Sequence, residues 1–98
     1  MNVGKILKHL RKQKGVTQLQ ISSFLNMDRT AYSKLERNQT MLKIDTAKLI
    51  AVYYGFELHY LILCIEYEHY LHNPTTVRLI KAQKAKEENF GKQVAYSA

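Results

Sequence analysis

The apolar residues of the chain recur at the spacing of α-helices almost from the first residue. Positions 3, 6, 7 and 10 hold Val, Ile, Leu and Leu, which lie on one face of a helix predicted over residues 2–13. Gly15 predicts the end of that helix, because glycine readily takes the left-handed conformation that closes helices. No stretch alternates apolar and polar residues for long, so no strand is predicted. The pattern indicates an all-α protein.

Two short helices follow, separated by a turn of three residues. Thr17 is a favoured N-cap residue and precedes a helix predicted over residues 18–25, and Asp28 can cap a helix over residues 29–37. Asn26 begins the turn, since asparagine tolerates left-handed backbone better than most residues. Two helices joined in this way have the geometry of the DNA-binding helix-turn-helix, whose second helix enters the major groove.

Three more helices are predicted in the second half of the chain. The fourth ends at Gly55, and the fifth is apolar on two sides, so it needs more than one neighbour. Asn73 and Pro74 supply an N-cap and a first-turn proline for the sixth. The spans predicted for these helices are residues 44–54, 57–72 and 74–89.

Positive charge is concentrated in the first part of the chain. Fifteen Lys and Arg against eight Asp and Glu give the 98 residues a net charge of +7. Residues 1–43 carry nine basic and two acidic side chains, whereas residues 44–73 carry one Lys and four acids. The region that contains the two short helices is therefore the expected binding surface for a polyanion.

Cysteine content and hydropathy favour a protein of the cytoplasm. The single cysteine, Cys64, cannot form an internal disulfide, and we expect it to be an inert buried thiol. The first residues mix lysine with apolar residues and predict no signal peptide. The most apolar run, residues 58–65, is far shorter than the roughly 20 residues that a helix needs to cross a bilayer. A soluble cytoplasmic protein with no membrane association is expected.

The order of these features resembles the lambda-repressor-like, Cro-type helix-turn-helix domains of bacterial and phage transcriptional regulators. The segments that carry the resemblance are LRKQKGVTQ at 10–18, YSKLER at 32–37 and IAVYYGF at 50–56. They belong to a match over residues 3–63, about two-thirds of the chain, and ordered elements are more specific than a lone motif. The resemblance implies a compact five-helix domain, followed here by a C-terminal helical extension.

The resemblance also implies which residues contact DNA. The base-reading positions of the third helix hold Arg29, Thr30, Ser33 and Lys34. An arginine at the start of that helix suits bidentate recognition of guanine O6 and N7. The positions that contact phosphates in the family hold Thr17, Gln18, Arg37, Asn38 and Lys43.

Three positions depart from the family pattern. Ser22 replaces the usual Ala and Asn26 the usual Gly, and both are physically suitable because serine is small and asparagine tolerates left-handed backbone. Leu42 stands where a proline commonly precedes the fourth helix, which leaves the path of the preceding loop open. Arg11 and Glu36 match two positions that form a largely structural salt bridge in the family.

Apolar residues continue beyond the point at which the family domain usually closes, so we divide the chain into a DNA-binding domain, residues 1–63, and an extension, residues 64–98. Exposed on a monomer, these apolar residues would form a sizeable patch. A two-fold dimer would bury it, and so would the sixth helix if it folded back. The residues predicted to form a dimer or partner surface are Leu58, Leu61, Ile65, Tyr67 and Tyr70.

These features predict a regulator that binds double-stranded DNA, most simply a homodimeric repressor on an inverted repeat. The alternative is an antitoxin or anti-repressor that acts chiefly through a protein partner held by residues 57–98. No glycine-rich phosphate loop, nucleophile motif or zinc motif occurs, so neither an enzyme nor a cofactor is expected. Glu66, Glu68, His69 and His72 have helical spacing suitable for metal ligands, but a solvated face is the simpler interpretation and no metal is expected.

Overall fold

The computed structural model describes residues 2–80, and this part of the chain is helical and contains no strand. The helices are α1 (Val3–Lys14), α2 (Gln18–Phe24), α3 (Arg29–Glu36), α4 (Ile44–Tyr53) and α5 (Leu58–Glu66), followed by a 3₁₀-helix (Glu68–His72). Residues 74–80 are helical as well. The all-α prediction is confirmed. The second half of the predicted sixth helix lies outside the described residues.

The first four helices end in the same hydrogen-bond pattern, the Schellman motif. In this motif one residue takes the left-handed conformation and the next N–H bonds to a carbonyl five residues back, as Met27 does to Ser22 at 3.0 Å. The left-handed residues are Gly15, Asn26, Asn38 and Gly55, with φ from 57° to 77°. The stops predicted at Gly15, Asn26 and Gly55 are confirmed, and the third helix, predicted to end at residue 37, is followed by a left-handed Asn38.

The helix starts are capped less uniformly. Thr17 forms a complete capping box, because its hydroxyl accepts from Gln20 N–H at 3.1 Å and Gln20 Oε1 accepts from Thr17 N–H at 2.8 Å. Asn2 caps α1 by accepting from Lys5 N–H at 2.9 Å. Asp28 stands at the N-cap of α3 but makes no capping hydrogen bond, and its carboxylate is exposed to solvent instead. The N-cap position predicted for Asp28 is confirmed, but its side chain does not cap the helix.

One hydrophobic core joins the helices and includes the start of the extension. Residues from four different helices are fully buried at its centre: Leu7, Leu10, Ile21, Tyr32 and Ile50. Leu71 and Ile80, which lie beyond the boundary predicted at residue 63, are buried in the same core. The described part of the extension therefore packs against the domain.

The fifth helix is shorter than the predicted span of residues 57–72. It stops at Glu66, because Tyr67 has extended backbone and the chain continues as the 3₁₀-helix. This break lets Leu71 enter the core, where it is 1% exposed. A hydrogen-bonded chain then fixes the turn, since Tyr60 Oη bonds Thr76 Oγ1, which donates to the Tyr70 carbonyl at 2.7 Å. Long-range packing thus overrides the helical spacing.

Some apolar residues on the helices are exposed. Leu19, Phe24 and Ile44 keep 60%, 44% and 71% of their surface accessible. All three lie in the first or last two residues of a helix, where packing is incomplete, although Phe24 still lies against the Tyr53 ring of α4 with ring centres 4.8 Å apart. No single helix within residues 2–80 is both long and apolar enough to cross a bilayer, and α4 with α5 reach that length only as a pair bent by 97°.

Candidate nucleic-acid interface

Helix α3 has two opposite faces, and one of them is fixed in the core. Tyr32 and Leu35 are 0% and 4% exposed, so the helix cannot rotate without opening the core. The opposite face presents polar and basic side chains with hydrogen-bond donors suited to base edges and phosphates. Its members are Arg29, Thr30 and Lys34, which are exposed, and Ser33, which is half-buried. The four residues predicted to read bases therefore share one outward face.

Helix α2 holds α3 at a fixed angle through a short turn. Ser22 is 1% exposed, and its hydroxyl donates to the Leu19 carbonyl at 3.0 Å, so the small side chain adds no bulk at the crossing. Asn26 takes the left-handed conformation with φ 57°. The two departures from the family pattern at these positions are therefore compatible with a helix-turn-helix.

The salt bridge predicted between Arg11 and Glu36 is present and joins α1 to the end of α3. Arg11 Nε and Nη2 donate to the Glu36 carboxylate at 2.7 and 3.2 Å. The side chains are 14% and 3% exposed. The hydrogen bond to Glu36 raises the pKa of Arg11. Burial acts to raise the pKa of Glu36, but hydrogen bonds that include those from Arg11 outweigh it and leave that pKa below its ordinary value.

Gln18, predicted as a phosphate contact, lies between this salt bridge and the recognition face. Its Nε2 donates to Glu36 Oε1 at 3.1 Å, and its Oε1 accepts from Arg29 Nη1 at 3.4 Å. The Thr17 hydroxyl oxygen accepts the capping hydrogen bond, and its hydrogen remains available to donate. Both residues stand at the start of α2, where the first backbone N–H groups have no partner within the helix.

The loop after α3 brings a second lysine beside the recognition face. A cleft of about 450 Å³ lies between α3 and the start of α4, and its lining includes Thr30, Lys34, Lys43 and Thr46. The exposed Arg37 closes the end of α3. The path of the loop that contains Leu42, which the sequence did not predict, thus brings Lys43 to the same surface as Lys34.

Asn38 has a structural role that the sequence did not indicate. Its Oδ1 accepts from Gly4 N–H at 2.9 Å, and its Nδ2 donates to Asn2 Oδ1 at 2.9 Å. Both ends of the amide are therefore directed at the start of α1. Asn38 thus connects α3 to α1, a role additional to the phosphate contact predicted for it.

Not every basic residue of the first 43 contributes to the surface charge. Lys14 is 3% exposed, its Nζ donates to the Tyr53 carbonyl at 2.7 Å, and it lies 3.9 Å from the centre of the Tyr53 ring. Lys5 forms an exposed ion pair with Glu68 at 2.9 Å. Simple charge counting missed both arrangements, because the partners are distant in sequence.

The predicted dimer or partner surface is only partly exposed. Leu61 and Ile65 are 0% and 9% exposed and belong to the core, so these two of the five predicted residues present little surface of their own. Tyr67 is 49% exposed, and Leu58 and Tyr70 are half-buried. An apolar groove of about 210 Å³, which we call the α4–α5 groove, lies on this side of the domain. The residues that line it are Val3, Leu42, Ile44, Ala47, Leu58, Leu61, Ile62 and Ile65.

The titratable residues of the extension make other contacts. Residues 2–80 contain no group of three or more His, Cys, Asp or Glu placed to hold a metal ion. His72 lies edge-on to His9, with ring centres 5.2 Å apart, and Glu68 pairs with Lys5. Cys64 is fully buried, and burial raises the pKa of its thiol to about 11.

A helix fixed by its apolar face, set by a short turn against a preceding helix and presenting basic and polar side chains outward, defines a helix-turn-helix DNA-binding protein. The sequence profile of the helix-turn-helix family matches residues 7–61, more than half of the chain. The chain therefore belongs to the lambda-repressor/Cro-like helix-turn-helix family of DNA-binding regulators. No curated protein and no solved structure matches the chain.

Proposed function

We propose that the protein is a transcriptional repressor that binds an inverted repeat in double-stranded DNA as a homodimer. The observation that carries this proposal is the outward face of α3, which groups Arg29, Thr30, Ser33 and Lys34 on a helix whose other face is buried. A helix presented in this way can enter the major groove without unfolding or rotating. The protein would act in the cytoplasm, on the nucleoid of a bacterium or on phage DNA.

The base-reading residues differ in what they can recognise. Arg29 can donate two hydrogen bonds to guanine O6 and N7, and Lys34 can donate to the same acceptors with a less fixed geometry. Thr30 and Ser33 have short hydroxyl side chains that can bond either strand or contact a thymine methyl group. Recognition of a short sequence that contains guanine follows from this set.

Phosphate contacts on both sides of α3 would fix its register. Thr17 and Gln18 stand at the start of α2, before α3 in the chain, and Arg37 and Lys43 follow α3. Contacts to phosphates carry no sequence information, but they orient the reading helix and make binding dependent on salt. Repression would follow if the bound dimer covers a promoter.

Dimerisation through the α4–α5 groove is the physically favoured arrangement. Ile44 and Ile62 are 71% and 43% exposed there, which is an unusual position for such residues in a monomer. A second copy can fill the groove by two-fold symmetry, since each protomer then contributes the same patch. The groove includes Leu42, next to the loop that follows α3. Pairing would therefore set the distance between two recognition helices, for which DNA requires roughly 34 Å.

The test compares an inverted-repeat duplex, its single half-site and a scrambled duplex in titrations at several salt concentrations. The proposal predicts that the inverted repeat binds a dimer far more tightly than the half-site binds a monomer. Equal affinity per half-site, with one protomer bound to each, would contradict the dimer while leaving sequence-specific binding intact.

The alternative, an antitoxin or anti-repressor acting through residues 57–98, receives less support. Leu71, Thr76 and Ile80 are buried against the domain and are not available to a partner without opening the core. A neighbouring gene product that binds this protein stoichiometrically and displaces it from DNA would favour the alternative.

A further inference from the structure

The cleft between α3 and the start of α4 has apolar walls as well as a basic rim. We call it the α3–α4 cleft, and its volume of about 450 Å³ lies within the range of small-molecule sites in proteins. One of its apolar residues, Met41 in the loop after α3, is 86% exposed, whereas Leu35 belongs to the core. The apolar residues that line the cleft are Met27, Ala31, Leu35 and Met41.

The charged groups of the cleft leave two ammonium groups available to an anion. Lys34 lies near the end of α3 and Lys43 at the N-cap of α4, and both are exposed. Within residues 2–80 neither lysine takes part in an ion pair. Asp28 also lines the cleft, but it stands six residues before Lys34, about 9 Å away along the helix axis. Salt screens charges over about this distance, so Asp28 opposes an anion near Lys34 only weakly.

The combination of two lysines with an apolar wall is more than a phosphate contact requires. A phosphate would use the ammonium groups and leave the apolar side chains in water. Methionine is flexible and polarisable, and it adapts to ligands of different shapes. A molecule with an apolar body against Met27 and Met41 and an anionic group beside the lysines would use both parts of the cleft.

We propose that the α3–α4 cleft binds a small amphipathic carboxylate, and that the bound molecule acts as an inducer by displacing DNA. Thr30 and Lys34 belong both to the cleft and to the outward face of α3. A ligand in the cleft and a base edge would therefore compete for the same side chains. Binding of the carboxylate requires only the cleft, whereas its effect on DNA rests on the proposed function.

The experiment uses octanoate as the probe and three matched compounds. Butyrate has the same carboxylate on a shorter chain, and 1-octanol has a chain of the same length without the charge. Inorganic phosphate tests the lysines alone. Titrations of the full-length ¹⁵N-labelled protein, followed by NMR without DNA, give the affinities and the backbone amides that shift.

We expect octanoate to shift the amides of Ala31, Lys34 and Met41. It should bind at least about tenfold more tightly than butyrate, since each buried CH₂ group contributes about fourfold to affinity. 1-Octanol and phosphate should each bind at least about fivefold more weakly than octanoate, because each lacks one part of the interaction. Shifts confined to the α4–α5 groove, no shifts at all, or phosphate binding as tight as that of octanoate would overturn the proposal.

Two variants at exposed positions test the apolar wall and the charge separately. Met41→Ser and Lys43→Gln should each weaken octanoate binding by about threefold or more. Leu19→Ser, at a residue of α2 that is 60% exposed, and Lys48→Gln, at an exposed residue of α4, are the controls outside the cleft. Both controls should bind octanoate as the wild type does. Equal affinities in all four variants would overturn the site.

Competition with DNA tests the regulatory part of the proposal. At about ten times its dissociation constant, octanoate should weaken binding to the selected duplex by about tenfold in fluorescence anisotropy, as mass action requires for a shared site. Butyrate at the same concentration controls for ionic strength and should have little effect. Octanoate bound in the cleft with unchanged affinity for the duplex would overturn the inducer role. A protein that binds octanoate there but prefers no DNA sequence would refute the proposed function and leave the carboxylate site standing.

Discussion

Arg11 reaches across from α1 and donates two hydrogen bonds to Glu36, at 2.7 and 3.2 Å, while its Nη1 donates to the Val16 carbonyl at 3.2 Å. The guanidinium thus joins the first helix, the loop that leads to α2 and the end of the recognition helix. A largely buried ion pair is costly to break, since the charge of the remaining partner stays buried without a counter-charge. The orientation of α3 therefore depends on one ion pair as well as on the core.

Removal of Arg11 should destabilise the fold strongly. We expect Arg11→Ala to lower the free energy of unfolding by about 3 kcal/mol, because the Glu36 carboxylate loses its partner. Urea unfolding followed by circular dichroism measures the change. Lys12→Ala on the exposed side of α1 is the control and should change stability by less than about 0.5 kcal/mol. A loss below about 1 kcal/mol for Arg11→Ala would show that the pair is solvated.

The same pair predicts an acid limb in the stability of the protein. The pKa of Glu36 is lower in the folded state than its ordinary value of 4.5. Its stabilising contribution is therefore complete above that ordinary value and is lost as the pH falls through the depressed folded value. Urea midpoints at a series of pH values should show a fall in this acid range that is clearly smaller in Arg11→Ala. Identical limbs in the two proteins would assign the fall to other carboxylates.

Gly4 is required by the close approach of α1 to α3. A Cβ at this position would overlap the carbonyl oxygen of Glu36. Gly4→Ala should therefore force the two helices apart, at a cost of about 1–3 kcal/mol that outweighs the gain in helix propensity. Chemical unfolding measures the cost, and Lys8→Ala in the same helix is a neutral reference. An alanine variant as stable as the wild type would show that the helices separate freely.

Arg29 and Arg37 should differ in the kind of binding that they support. Arg29→Ala should cost about 1–3 kcal/mol on the selected site and little on random DNA, because it removes a base contact. Arg37→Ala should weaken binding to the selected site and to random DNA to a similar extent, because it removes a phosphate contact. The slope of log affinity against log salt concentration should become shallower by about one. Anisotropy titrations on the two duplexes measure these losses. Equal losses on specific and random DNA for Arg29→Ala would contradict its base-reading role.

A charge in the α4–α5 groove should separate the protomers without unfolding them. Ile62→Glu places a carboxylate on a residue that is 43% exposed in the monomer, so its main cost falls on the dimer. Sedimentation equilibrium should show a shift to monomer. Leu79→Glu, at a residue 36% exposed outside the groove, is the matched control and should leave the mass unchanged. A fully dimeric Ile62→Glu protein would move the interface elsewhere.

Local signals in the sequence predicted most helix boundaries. Gly15, Asn26 and Gly55 end helices where expected, since the left-handed conformation is a local property of those residues. The outward face of α3 also followed from helical spacing. The end of the third helix at residue 37 was predicted too, but not the left-handed backbone of Asn38 or its hydrogen bond from Gly4, which is 34 residues away in the chain.

The features that depend on distant neighbours were not predictable. The break at Tyr67 accompanies burial of Leu71 in the common core, and the helical spacing of residues 57–72 does not indicate it. Likewise, the sequence indicates that Lys14 is a surface charge, and only the folded structure shows that it is buried against Tyr53. Gln18 contacts residues at both ends of α3, and a motif match that assigns each position separately does not reveal such contacts.

The central claim, that the outward face of α3 reads a DNA sequence, is tested most directly by selection. The purified protein would select short duplexes from a random pool, and the winners and scrambled controls would be titrated at several salt concentrations. The account predicts an inverted repeat bound at least about a thousandfold more tightly than the controls, with a steep fall in affinity as salt rises. Salt-sensitive binding with no preferred sequence would contradict it, because the helix-turn-helix would then hold DNA without reading it.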